Sequence, residues 1–185
     1  MKNKFLKTKT LILFIFCSFQ IFSQGTINKE FVLKQVIDGS KLIFEGKILS
    51  KGESFRATNN AIYTNYSVQL DKSIYGQSVN PIINLVIEGG EIEEGGIGFG
   101  TSISDGLSIK LNLQSVIFCK PFNLGKTSNS YLITQQVCYN SKNEIIITNA
   151  LSEYYKSIND LYKDLSQKLN IQIAEKKKPR CKRKQ

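Results

Sequence analysis

The chain contains no histidine, and that one absence removes the commonest general base along with every Ser-His and Cys-His nucleophile pair. Close cysteine pairs are missing too: Cys17, Cys119, Cys138 and Cys181 stand far apart, so no zinc-site spacing can be assembled from them. The longest apolar run, Leu11 to Phe22, is about 12 residues where an uncleaved membrane span needs about 20. No internal repeat is present. The body of the chain also has little net charge of either sign. Of 25 Lys and Arg, four lie in the leader and seven between Lys176 and Lys184, which leaves 14 cations against all 15 acids. The formal +10 is therefore a property of the two ends, and a basic footprint on a folded face, with nucleic acid as its partner, is excluded.

What is present begins with a leader. Met1 to about Ser23 opens on Lys2, Lys4, Lys7 and Lys9, runs apolar, and closes on Ser23, Gln24 and Gly25. That is the layout of a secretory signal peptide cleaved after Ser23 or close by, so the mature chain is expected to be secreted or periplasmic. Contact with a membrane is expected only through this transient segment. Phe16 is bulky where lipid attachment at Cys17 would want a small residue. Residues 24–173 read as one domain and 174–185 as a basic disordered tail. In an exported chain Cys119 and Cys138 are the natural disulfide, closing a loop of about 20 residues worth about 3 kcal/mol in the chain-entropy model. Cys181 is left over as a free thiol or an intermolecular link, and the oligomeric state stays open.

The clearest strand is Lys41 to Leu49, KLIFEGKIL, with Leu42, Phe44 and Ile48 on one parity and a mixed set on the other. Gly46 at its centre marks a bulge or the close passage of another backbone. Asn28 can cap a helix over Lys29 to Asp38 ended by Gly39, although an extended reading of Phe31 to Ile37 fits nearly as well. After a polar stretch from Gly52 to Asn60 that holds the loop residues Ser54, Thr58, Asn59 and Asn60, Ala61 to Tyr75 alternates over Ile62, Thr64, Tyr66, Val68 and Leu70, the pattern of a long half-buried strand. Ile82 to Ile87, Leu107 to Leu113, Ser115 to Lys120 stopped by Pro121, Tyr131 to Tyr139 and Glu144 to Thr148 supply further extended runs. Ser157 with Asp160 resembles a capping box, and the helix it opens carries Ile158, Leu161, Tyr162, Leu165 and Leu169 on one stripe. This order favours a mainly β fold: a small β-barrel of oligonucleotide/oligosaccharide-binding (OB) type with flanking helices, or a β-sandwich as runner-up.

Candidate chemistry gathers in Glu88 to Gly106, EGGEIEEGGIGFGTSISDG, whose seven glycines and five carboxylates read as a long loop of the kind in which function often sits. Glu88, Glu91, Glu93, Glu94 and Asp105 raise two sharp readings, a calcium site and a glycosidase-like carboxylate pair. The alternating Asp and Asn of a calcium loop are absent, and a mobile acidic loop is the favoured alternative. GGIGFG lacks the strand-to-helix setting and the Lys-Ser/Thr of a phosphate cradle. No cofactor, metal or catalytic residue is therefore assigned. The partner-binding candidates are Glu91, Glu93, Glu94 and Phe99 in the loop, with Lys177, Lys178 and Arg180 in the tail. The eight tyrosines read mainly as sheet packing, with a sugar- or peptide-binding face as the alternative.

The succession FEGKIL, YTNYSVQLDKSIYG, INLVIEGGE and, after the glycine-rich excursion, LNLQSVIFCKPF resembles the netrin-like (tissue-inhibitor-of-metalloprotease-like) barrel. It is similar above all to the amino-terminal module of exported proteins of Gram-negative bacteria. The match covers about Ser40 to Phe122, with Tyr154 to Asn170 resembling the helix that follows. The resemblance implies an OB-like barrel and a binding role. The inhibitors' amino-terminal cysteine, whose amine and carbonyl chelate a protease zinc, has no counterpart near Gln24. The expectation is an exported, non-enzymatic module that binds a protein or glycan at the cell envelope. An envelope hydrolase using the loop carboxylates, or a proteinase-inhibitor-like module, is the alternative.

Overall fold

The computed structural model describes residues 28–76, 82–102, 107–124, 130–146, 149, 151–171 and 173. Residues 1–27, on which the signal peptide is expected, lie outside the described residues, as do Asp105 and the carboxy-terminal Lys177, Lys178, Arg180 and Cys181.

The fold is mainly β. Helix α1 (Lys29–Asp38) leads, capped by Asn28, whose side chain accepts from the Glu30 N–H at 3.0 Å. The capping settles the helix-or-strand ambiguity of this segment. Strand β1 (Leu42–Arg56) is followed by β2 (Ile62–Tyr75) and β3 (Ile82–Glu88). A hairpin of β4 (Gly90–Glu94) and β5 (Ile97–Thr101) intervenes before β6 (Gln114–Phe122), β7 (Ser130–Tyr139) and the two-residue β8 (Ile145–Ile146). A single 3-10 turn at Ser152–Tyr154 then precedes helix α2 (Ile158–Leu169).

The six-stranded sheet runs β3-β2-β1-β6-β7-β8 and returns on itself, because β3 also pairs in parallel with β7 over Asn84–Val86 and Ser130–Leu132. Five strands thus form a ring. A cluster drawn from all five, including Phe44, Val68, Leu85, Ile117 and Ile133, fills the inside. Gly46 is what lets β1 bend: a Cβ there would lie 2.1 Å from the Gln69 carbonyl oxygen, and the β1–β2 register slips beside it.

The opposite face of β1, β6 and β7 is buried as well. Ile43, Val116, Phe118 and Val137 pack there against Leu33 of α1 and the stripe Ile158, Leu161, Tyr162 and Leu165 of α2. Each such side chain contributes about 1.5–3 kcal/mol by leaving water, which holds the helix to the sheet. Ser157 caps α2, accepting from the Asp160 N–H at 3.3 Å as its motif implies. Burial on two faces also explains why the second parity of KLIFEGKIL is mixed and not polar throughout.

Several expectations need correction. The stretch Gly52 to Arg56 is strand, because β1 stays paired with β2 as far as Arg56 and Ile62. Strand β6 passes through Pro121 to Phe122. It has parted from β1 by then, so the missing N–H breaks no ladder bond. Leu107 to Leu113 is irregular, with Asn112 at φ 58° donating its N–H to the Ile48 carbonyl. Cys119 and Cys138 are both free and buried. Cys138 sits opposite Ser115, four residues along β6 from Cys119, a separation of about 13 Å that no disulfide spans. The expected bridge is therefore absent, since pairing of the two strands sets their cysteines in different rungs.

Candidate functional site

The glycine-rich segment is a built hairpin. Gly95 and Gly96, at φ 62° and 78°, form the two-residue turn whose left-handed conformation matches strand twist, flanked by the pair Glu94 and Ile97. Gly89 and Gly90 (φ 119° and 133°) turn the chain sharply out of β3. The Gly89 N–H donates to the Ile62 carbonyl at 2.7 Å, and its own carbonyl accepts from the Thr64 hydroxyl at 2.7 Å. A Cβ on Gly90 would meet Thr64 Oγ1 at 2.2 Å, so only glycine lets the hairpin cross the β1–β2 surface this closely.

Arg56 fixes the hairpin from the other side. Its Nε donates to both Glu94 carboxylate oxygens at 3.1 Å, one Nη to Glu94 Oε2 at 3.0 Å and the other to the Asn60 carbonyl at 3.0 Å. The same guanidinium lies 5.0 Å from the centre of the Phe99 ring. Glu94 is thus an anchoring group of the hairpin. Glu91 and Glu93 share the other face of β4, opposite Gly100 and Gly98, and both are exposed. Phe99 is 39% exposed and Ile97 61%, with every residue of β5 open to solvent. A concavity of about 460 Å³ is lined by Glu91, Ile92, Glu93, Gly98, Phe99 and Gly100. The hairpin therefore carries Glu91 and Glu93 on one face and Phe99 on the other, beside Arg56, while Lys177, Lys178 and Arg180 fall outside the described residues.

Glu88, Glu91, Glu93 and Glu94 do not converge on a sheltered point; all four are exposed. Among the described residues no group of three or more His, Cys, Asp or Glu is placed to hold a metal ion. A second concavity, about 150 Å³, opens where β3 and β7 diverge, between Ile87, Glu88, Leu107, Lys120, Leu132, Ile133 and Thr134.

One polar cluster escaped sequence reasoning. Glu45 is 6% exposed and accepts from the Tyr139 hydroxyl at 2.6 Å, the Tyr162 hydroxyl at 2.5 Å and Gln114 Nε2 at 3.1 Å. Gln114 also donates to Asp71 at 2.7 Å. Burial, reinforced by the bond to Glu45, raises both tyrosine pKa values, and burial raises the thiols of Cys119 and Cys138. Neither concavity touches this cluster, whose role is to join β1, β7 and α2. Its only sequence signal was a single acid among the apolar residues of KLIFEGKIL. Tyr63, Tyr66, Tyr139, Tyr155 and Tyr162 are all buried, in keeping with packing over a binding face.

Comparison of the chain with protein-family models, curated proteins and solved structures finds no match.

Proposed function

We propose that the chain is an exported, non-enzymatic binding module of netrin-like, OB-type architecture that recognises a partner at the cell envelope through the β4–β5 hairpin. The carrying observation is an anchored hairpin whose outer strand exposes Ile97 and Phe99 together, in a fold that buries most of its large apolar side chains. Exposed apolar groups held rigidly contribute to binding without a large ordering cost. The ring order β1-β2-β3-β7-β6, closed by the parallel contact of β3 with β7, supports the OB-type assignment. Barrels of this type bind oligosaccharides as well as other ligands, which keeps a glycan beside a protein as the partner class. The hydrolase alternative needs two sheltered carboxylates and draws no support from four exposed ones.

A photo-crosslinking side chain placed at Ile97 or Phe99 in living cells tests this reading. The expected result is one discrete adduct from the hairpin positions, protein or carbohydrate by staining, and none from the exposed turn residue Lys142. Adducts from Lys142 alone, or none from either hairpin position, would overturn it.

A further inference from the structure

We infer that the free edge of β5 takes an extended segment of a partner protein, one carrying lysine or arginine at alternate positions. The inference rests on the proposal that the hairpin is the recognition element and adds the chemistry of what it recognises.

Two glycines of β5 have no reason within the fold. Gly95 and Gly96 are demanded by their turn and Gly90 by the crowding beneath it, but Gly98 and Gly100 have ordinary strand conformations. A Cβ on Gly98 would meet nothing within 4 Å, and one on Gly100 would make ordinary van der Waals contacts with Glu91 Cγ at 3.4 Å and the Gly90 carbonyl oxygen at 3.8 Å. Glycine inside a strand weakens it, and such positions mark where another backbone or a ligand comes close.

The edge beside those glycines is unguarded. Among the described residues β5 pairs only with β4, and Ile97 to Thr101 contains neither proline nor charge. The part of β1 that extends past β6 is protected differently, by Lys51, Glu53 and the register slips around them. Natural sheets blunt their edges with such devices, and β5 omits them. Main-chain pairing along β5 then supplies affinity, as in other strand-addition complexes.

The two faces set the sequence of the added strand. A strand beside β5 lies about 10 Å from β4, with only glycine hydrogens between on the Glu91 and Glu93 side. Lysine or arginine side chains can lie across that glycine floor and reach both carboxylates. Among the described residues neither Glu91 nor Glu93 is in an ion pair. The opposite face offers Ile97 and Phe99 to the intervening residues, which favours apolar ones there. Strand period two thus specifies a basic–apolar alternation.

The test is a titration of the full chain against a short fluorescein-labelled peptide alternating lysine with valine, followed by anisotropy. Peptides alternating glutamate with valine, and the same lysines in one block, serve as comparisons. Saturable binding of the alternating basic peptide alone is expected. The double substitution Glu91→Gln, Glu93→Gln should weaken it about tenfold, two exposed ion pairs' worth. Gly98→Val, which leaves the fold intact because the site is open, should abolish it by filling the floor. Equal binding of the blocked or acidic peptide, indifference to Gly98→Val, or no binding would overturn the inference. If hairpin crosslinks form while the basic peptide fails, the partner chemistry is wrong and the recognition element stands. Absence of hairpin crosslinks removes the recognition element itself.

Discussion

Tyr162 of α2 donates its hydroxyl to Glu45 of β1 at 2.5 Å, across 117 residues of chain, and Tyr139 of β7 donates to the same carboxylate at 2.6 Å. That carboxyl group holds the carboxy-terminal helix to the sheet through these buried hydrogen bonds. Tyr162→Phe should cost about 2 kcal/mol in urea unfolding, because it leaves a buried acceptor short of a partner. Glu45→Gln should cost a similar amount, and the double variant less than the sum, because both remove one interaction. Full additivity would show that the cluster does not act as a unit.

Alkaline pH should reach the same cluster. Burial foremost, with hydrogen bonds to Glu45 and to Asp164, raises the pKa values of Tyr139, Tyr162 and Tyr155 above their unfolded value. The folded state therefore holds these protons more tightly. Their stabilisation is complete below about pH 10 and is lost as pH rises beyond it. Tyrosinate absorbance should show these three titrating only together with loss of structure. Smooth titration of all eight tyrosines in a folded chain would contradict this.

Gly46 and Gly98 should respond oppositely to a methyl group. Gly46→Ala places Cβ against the Gln69 carbonyl and should cost about 3 kcal/mol or prevent folding. Gly98→Ala enters open space and should stay within about 0.5 kcal/mol of the parent.

The buried thiols should be silent. Peptide mapping should recover Cys119 and Cys138 unlinked, reductant should leave the melting temperature unchanged, and thiol reagents should label both only after denaturation. A linked pair of peptides would contradict the strand register.

What the sequence revealed follows the range of the forces involved. β2 and α2 were legible because period-two and helical patterns, with Ser157 as a cap, are written in neighbouring residues. The hairpin was hidden although its signal was present: Gly95 and Gly96 are a two-residue turn between Glu94 and Ile97, but the surrounding glycines dilute strand propensity. Cysteine spacing could not reveal that Cys138 faces Ser115, because register depends on the whole β6–β7 pairing and its slip at Phe118. Glu45 and its tyrosines meet only through tertiary folding. Of the expected site, Glu91 and Glu93 share one face of the hairpin, whereas Glu94 and Phe99 lie on the other, turned to Arg56.

The measurement that bears most directly on the account is a quantitative crosslinked pull-down from envelope extract. It compares the full chain, a chain ending at Ile173, and the full chain with Ile97→Ser and Phe99→Ser. The account expects one species recovered by the first two and lost with the third, which would place recognition on the hairpin. Recovery by the serine variant, with loss on truncation and release by salt, would place it on the basic tail and contradict the account.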